Sequence, residues 1–164
     1  DGRAAMAGIL ADVLRRERDP DRLKADVLTM RADMAGHKPA QGPLDAKLLR
    51  GGLVDLEFIV HFLQLRDHVG LTPSLPDAID ALAAAGLVPA ALRKAHDVMT
   101  RLLVAARLLA PDCSEPPKSV RAALASACRC GDWNEVMSGL ASARETVAGV
   151  WSQTFGTKLE LDKA

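Results

Sequence analysis

Leu53-Val54-Asp55-Leu56-Glu57-Phe58-Ile59-Val60-His61-Phe62-Leu63-Gln64-Leu65 is the stretch whose reading decides the fold. Set at about 100° per residue, its apolar side chains cover most of a helical circumference. A helix that is apolar almost all round is a central one, and other elements must wrap it. The spacing predicts this helix from about Gly52 to Val69. One narrow polar stripe survives on it: Glu57, His61, Gln64 and His68, spaced four, three and four apart.

Working outward, the flanks are helical as well. Met6, Ile9, Leu10 and Val13 follow a helical stripe that ends in the charged stretch Arg15 to Asp19. Pro20 suits the first position of a second helix. There Leu23, Val27, Met30 and Met34 recur at steps of four, three and four, leaving Arg22, Lys24, Asp26, Arg31 and Asp33 for other faces. Residues 36–50 are predicted as a loop leading into the central helix, glycine- and proline-rich as far as Leu44 and extended or irregular from Asp45 to Arg50.

Downstream, Gly70 to Pro76 is a turn-rich joint. Asp77 to Ala85 makes a short helix closed by Gly86. Pro89 starts a long helix in which Leu92, His96, Met99, Leu103 and Ala106 share a face, and Pro111, Pro116 and Pro117 forbid its continuation. Ser119 is expected to cap a helix reaching Cys130. The last helix repeats Val136, Leu140, Ala143, Val147, Val150 and Trp151. The tail over 156–164 is expected to fray. The expected fold is all-α, an antiparallel bundle of six or seven helices in a single domain over 1–164.

Composition bounds the function. The chain has 164 residues, enough to bury a core without staples. Its 21 basic and 21 acidic residues balance, so no strong field draws nucleic acid or anionic lipid. No apolar run has the length of a membrane span, and no signal peptide opens the chain. Cys113, Cys128 and Cys130 are odd in number and lack zinc-ligand spacing, which suits a reducing cytoplasm.

Autonomous chemistry finds little purchase. Glu57 and His61, four apart, face one another, but two ligands are too few for zinc, and His68 stands about 10 Å farther along the axis than His61. A hydrogen-bonded polar seam is the expectation there, with no metal. No phosphate-cradling loop exists, because Gly51-Gly52 is not followed by Lys and Ser or Thr. Arg31 and His37 have the arginine-to-histidine gap of some helical ribonucleases. The intervening Ala-Asp-Met-Ala-Gly is unremarkable, and the neutral charge favours a chance match.

The segment just before the central helix is richer. Gly51 and Gly52 let the backbone turn sharply or approach a neighbour. Asp55 and Glu57 fall in the first turn or so, where free backbone N–H groups favour negative charge. Two residues apart, they point about 200° away from each other, so one helix start offers carboxylates to two different neighbours.

Asp45-x-Lys47-x-x-x-Gly51-Gly52-Leu53-x-Asp55-Leu56-Glu57-Phe58-Ile59 closely resembles the motif that follows the catalytic domain in glutamine synthetase adenylyltransferases. Met30-Arg31-x-x-Met34 with Lys38 upstream, and Phe62-Leu63-Gln64-Leu65 downstream, are similar to that family too. The likeness runs over about Asp19 to Val69. His61 stands where the family usually has glutamine. The resemblance implies a helical domain that would follow a nucleotidyltransferase domain. Asp55 and the look of the tail favour the C-terminal, adenylylating half. It implies a parent enzyme that moves AMP between ATP and a tyrosine of glutamine synthetase, under the PII signal protein and glutamine. ATP and magnesium are expected for that parent and no cofactor for these residues. The acidic Gly-Ser motif of the catalytic domain is absent, so this chain alone is expected to be inactive.

On that resemblance, Lys47 is the candidate for reaching the cleft, with Arg50 less fixed. Asp55 or Glu57 would orient Lys47, position the protein substrate, or pair with a basic residue of the catalytic domain. Asp45, Gly51 and Gly52 complete the cleft or interdomain set. The alternatives are that these residues only cap the helix and lock two domains together, or that the domain is a pure interaction module for glutamine synthetase or PII.

Overall fold

A computed structural model describes residues 2–162, the side chains at positions 3 and 4 excepted. Seven helices are formed among the described residues, and no strand: α1 Gly2–Leu14, α2 Pro20–His37, α3 Leu53–Asp67, α4 Leu75–Ala84, α5 Ala91–Leu109, α6 Lys118–Ala127 and α7 Trp133–Phe155. The all-α expectation holds. No helix among the described residues is long and apolar enough to cross a membrane.

Helix α3 is central, as its pattern requires. It packs on α2, α4, α5 and α7, and Leu56, Ile59 and Val60 are wholly buried. The broadest helix pairing is α5 on α7. Phe155 ties the end of α7 to the centre: its ring lies 4.9 Å from Phe62 and 4.5 Å from Trp151, at tilted angles that suit aromatic quadrupoles.

Several boundaries differ from the expectation for physical reasons. Asp19 caps α2 by accepting the N–H groups of Asp21 and Arg22, and Pro20 begins it. The helix runs through Gly36 to His37, so the connecting loop starts at Lys38 and not at residue 36. Met30 is exposed and Arg31 takes the inward place, since Leu23, Val27 and Arg31 fall at steps of four. Ser119 is inside α6 and caps nothing; Pro117 stands at the cap. In α5 the fully buried leucine is Leu102, with Leu103 half-buried.

The tail over 156–162 does not fray. Gly156 ends α7 in the left-handed region, at φ 64°. The chain then doubles back, burying Leu159 and bringing Asp162 to the residues ahead of α3. Positions 163 and 164 lie outside the described residues.

Candidate functional site

The start of α3 lacks a side-chain cap. Backbone carbonyls do that work: Ala46 and Lys47 accept the N–H groups of Leu53 and Val54 at 2.9 and 3.1 Å. The orphan donors of a helix start are thus met by a turn folded back on itself. Gly52 allows the approach, because a Cβ there would stand 2.7 Å from the carbonyl oxygens of Ala46 and Leu49. Gly51 has φ +77°, and a Cβ on it would lie 2.6 Å from the Arg144 carbonyl and 2.8 Å from the Leu161 side chain. Both glycines are fixed by crowding, and Gly51 by its backbone angle as well.

Asp45 organises the same turn. Its carboxylate is buried and accepts N–H groups from Gln41 at 3.1 Å, Lys47 at 3.2 Å and Leu48 at 3.0 Å. The irregular stretch from Asp45 to Arg50 is therefore a set of tight turns hung on one acid.

Asp55 is fully buried, and its carboxylate turns back toward the residues just ahead of the helix. Arg31 of α2 donates to it through Nε at 2.5 Å and through a terminal nitrogen at 3.2 Å. The Gly51 N–H donates to the same carboxylate at 2.7 Å. Arg31 also reaches the Leu48 carbonyl at 3.4 Å. One buried acid therefore ties α2, the turn and α3 together through charge-assisted bonds.

A second arginine closes the turn from the far side. Arg144 of α7 is buried and donates to the Arg50 carbonyl at 2.8 Å and to the Asp162 carbonyl at 3.3 Å. The Arg50 N–H donates to the Asp162 carboxylate at 2.8 Å. Burial pushes the Arg144 guanidinium below its ordinary range, against the opposing pull of Asp162 and Asp55.

The candidate residues thus divide. Asp45, Gly51, Gly52 and Asp55 are brought together in the buried framework. Lys47 is exposed and Glu57 half-buried, and neither has an ion-pair partner among the described residues. Arg50, half-buried, serves the framework through its backbone. Asp55 takes Arg31 as its neighbour, while Glu57 has no ion-pair partner among the described residues to set beside it.

The polar stripe of α3 is not one seam. Gln64 is buried and donates to the carbonyls of Gly70 and Thr72, pinning the joint after α3. His61 is exposed and makes no hydrogen bond to Glu57. His68 ends α3 with φ 58°, its Nε2 buried without a partner among the described residues. Arg31 and His37 share no site, since Arg31 is spent on Asp55 while His37 is exposed at the end of α2.

Sequence reasoning set Arg31 only beside His37 and within the family-like segment, not beside Asp55, and it passed over Arg144 and Asp162. Both arginines were findable: Arg31 continues the Leu23–Val27 stripe, and Arg144 lies four residues after Leu140 on the inner face of α7. Asp162 carried no local signal.

No protein-family model matches the chain. Among curated proteins it is similar to bifunctional glutamine synthetase adenylyltransferase/adenylyl-removing enzymes from several bacteria. That of Caulobacter vibrioides is 34% identical, with 88% of this chain and 16% of the relative covered. That of Agrobacterium fabrum is 32% identical over 78% of this chain and 14% of the relative. That of Chromobacterium violaceum is 38% identical over 69% of this chain and 14% of the relative. The chain spans about one-sixth of the length of the relatives it matches. It belongs with this family as a homologue of one segment of its members.

Proposed function

Proceeding from that homology, we propose that the chain is a helical domain of a cytoplasmic adenylyltransferase that adds AMP to glutamine synthetase and removes it. The domain follows a nucleotidyltransferase domain and completes or couples to its cleft. The observation that carries this reading is the division within the motif. Asp45, Gly51, Gly52 and Asp55 are consumed in a buried frame, while Lys47 is left free at the surface of the same turn. A frame of this kind fixes the backbone from which a free cation projects, and positioning of that sort is what transfer chemistry rewards. AMP transfer develops charge on phosphoryl oxygens, which Lys47 would stabilise from the edge of the cleft. Glu57, also unpaired, is offered to a basic group of the catalytic domain or of the protein substrate.

Asp45 and Asp55 have no carboxylate oxygen to spare for a magnesium ion. Asp45 spends its carboxylate on three backbone N–H groups, and Asp55 spends its own on Arg31 and Gly51. In this reading magnesium and ATP are assigned to the catalytic domain. PII is a partner of the parent enzyme in the same reading.

The test is AMP transfer to glutamine synthetase by the full-length enzyme carrying Lys47→Ala or Glu57→Ala, with helicity and melting measured in parallel. A large loss of transfer with unchanged melting is expected. Unimpaired transfer would leave the motif a packing joint and the domain a scaffold. If the domain comes from the adenylylating half, as Asp55 favours, the same variants retain phosphorolytic removal of AMP.

A further inference from the structure

Helix α1 does not complete the bundle. Met6 and Ile9 are each 62% exposed, Leu10 is 56%, and Val13 and Leu14 are also on the surface. Ala11 is the one half-buried residue among the described side chains of the helix. The five large side chains recur at the spacing of a single helical face, so α1 carries an apolar side that the described residues leave uncovered. Scattered surface leucines need no explanation, but a contiguous stripe does.

Beside the stripe lies a groove of about 510 Å³, lined by Leu10 and Leu14 of α1, His61 and Leu65 of α3, and Leu71 and Pro73 of the following joint. Its far wall is set in place by Gln64, whose side-chain amide holds the carbonyls of Gly70 and Thr72. That wall of the groove is therefore held in place by the chain itself. His61, exposed at its mouth, is the one titratable group on that lining.

We infer that the α1 stripe and this groove are the seat of an apolar segment from an adjoining domain of the longer polypeptide. The inference rests on the reading of the chain as one domain of such an enzyme. The choice of occupant follows from length and tethering. The relatives are about six times longer than the part this chain matches. A covalently attached domain meets the face at an effective concentration on the order of millimolar, whereas a second copy must be drawn from solution. The chemistry required of the occupant is apolar side chains, with a hydrogen-bonding group placed for His61.

Hydrogen exchange of residues 2–14 tests this, measured in the 164-residue chain across a concentration series and in the full-length enzyme. Exchange in the full-length enzyme is expected to be at least tenfold slower than in the short chain, and the short chain's exchange independent of concentration. Ile9→Asp combined with Val13→Asp should abolish the difference while leaving the melting of the short chain unchanged, because both side chains are exposed there. Equal exchange in the two proteins overturns the inference. So does protection in the short chain that grows with concentration, which would assign the face to a second copy. A full-length protein that protects α1 but transfers no AMP would sink the functional reading and leave this interface standing.

Discussion

Replacing Arg31 with Leu strands the most deeply buried charge in the molecule. Asp55 has no exposure, and Arg31 supplies two of its three hydrogen bonds. Removing one partner of a buried ion pair costs about 3–5 kcal/mol, because the remaining charge is left uncompensated. Arg144, close enough to feel the Asp55 charge, holds the cost toward the lower end of that range. For a chain of this length each kcal/mol lowers the melting temperature by about 2–4 °C, so a fall of roughly 6–12 °C is expected. Asp55→Leu should cost a similar amount, since it strands Arg31 and also orphans the Gly51 N–H. The double change removes both charges together and leaves the Gly51 N–H and the Leu48 carbonyl without these partners, at about 1–3 kcal/mol. The double variant should therefore be no less stable than either single one. Urea unfolding of the four proteins, followed by circular dichroism, reads this cycle. Additive single costs, or single costs below about 1 kcal/mol, would show that the pair does not bind α2 to the turn as argued.

The turn makes further claims. Gly51→Ala meets both a left-handed φ and the Arg144 carbonyl, and should cost about 1–3 kcal/mol in the same unfolding assay. Asp45→Ala frees three N–H groups of the turn and should cost about 1–2 kcal/mol, with faster amide exchange at Lys47 and Leu48. Deleting the chain after Gly156 uncovers Leu159's contacts and takes Asp162 from Arg144, so melting should fall even though every helix is retained. Lys47→Ala touches no partner and should change stability by less than about 0.5 kcal/mol, whatever it does to transfer.

The parts of the fold that were legible in sequence are those where a local pattern has a single physical reading. The apolar circumference of α3 admits no other place than the centre, and the prolines and glycines around α4 and α5 mark real ends. The candidate site was half legible. Its glycines and acids stood out by type and spacing, while their partners did not. Arg31 and Arg144 sit on inward faces, yet a charged residue in an apolar stripe is ordinarily assigned to solvent. Arg31 comes inside because Asp55 waits for it across 24 residues of chain. The bond from Arg50 to Asp162 spans 112 residues, and no periodicity announces a contact of that range. The free face of α1 was legible as a stripe, though not as uncovered, since a stripe looks the same whichever molecule it is meant for.

The backbone cap on α3 has an evolutionary corollary. Where a helix start depends on a Ser, Thr or Asp side chain, that position is committed to stability and closed to other uses. Here carbonyl oxygens of residues 46 and 47 hold the first amides, and every amino acid carries the same carbonyl. The side chain at position 47 is thereby released from any duty to the fold. It can be exchanged as the chemistry outside demands, while the helix beneath it stays where it is.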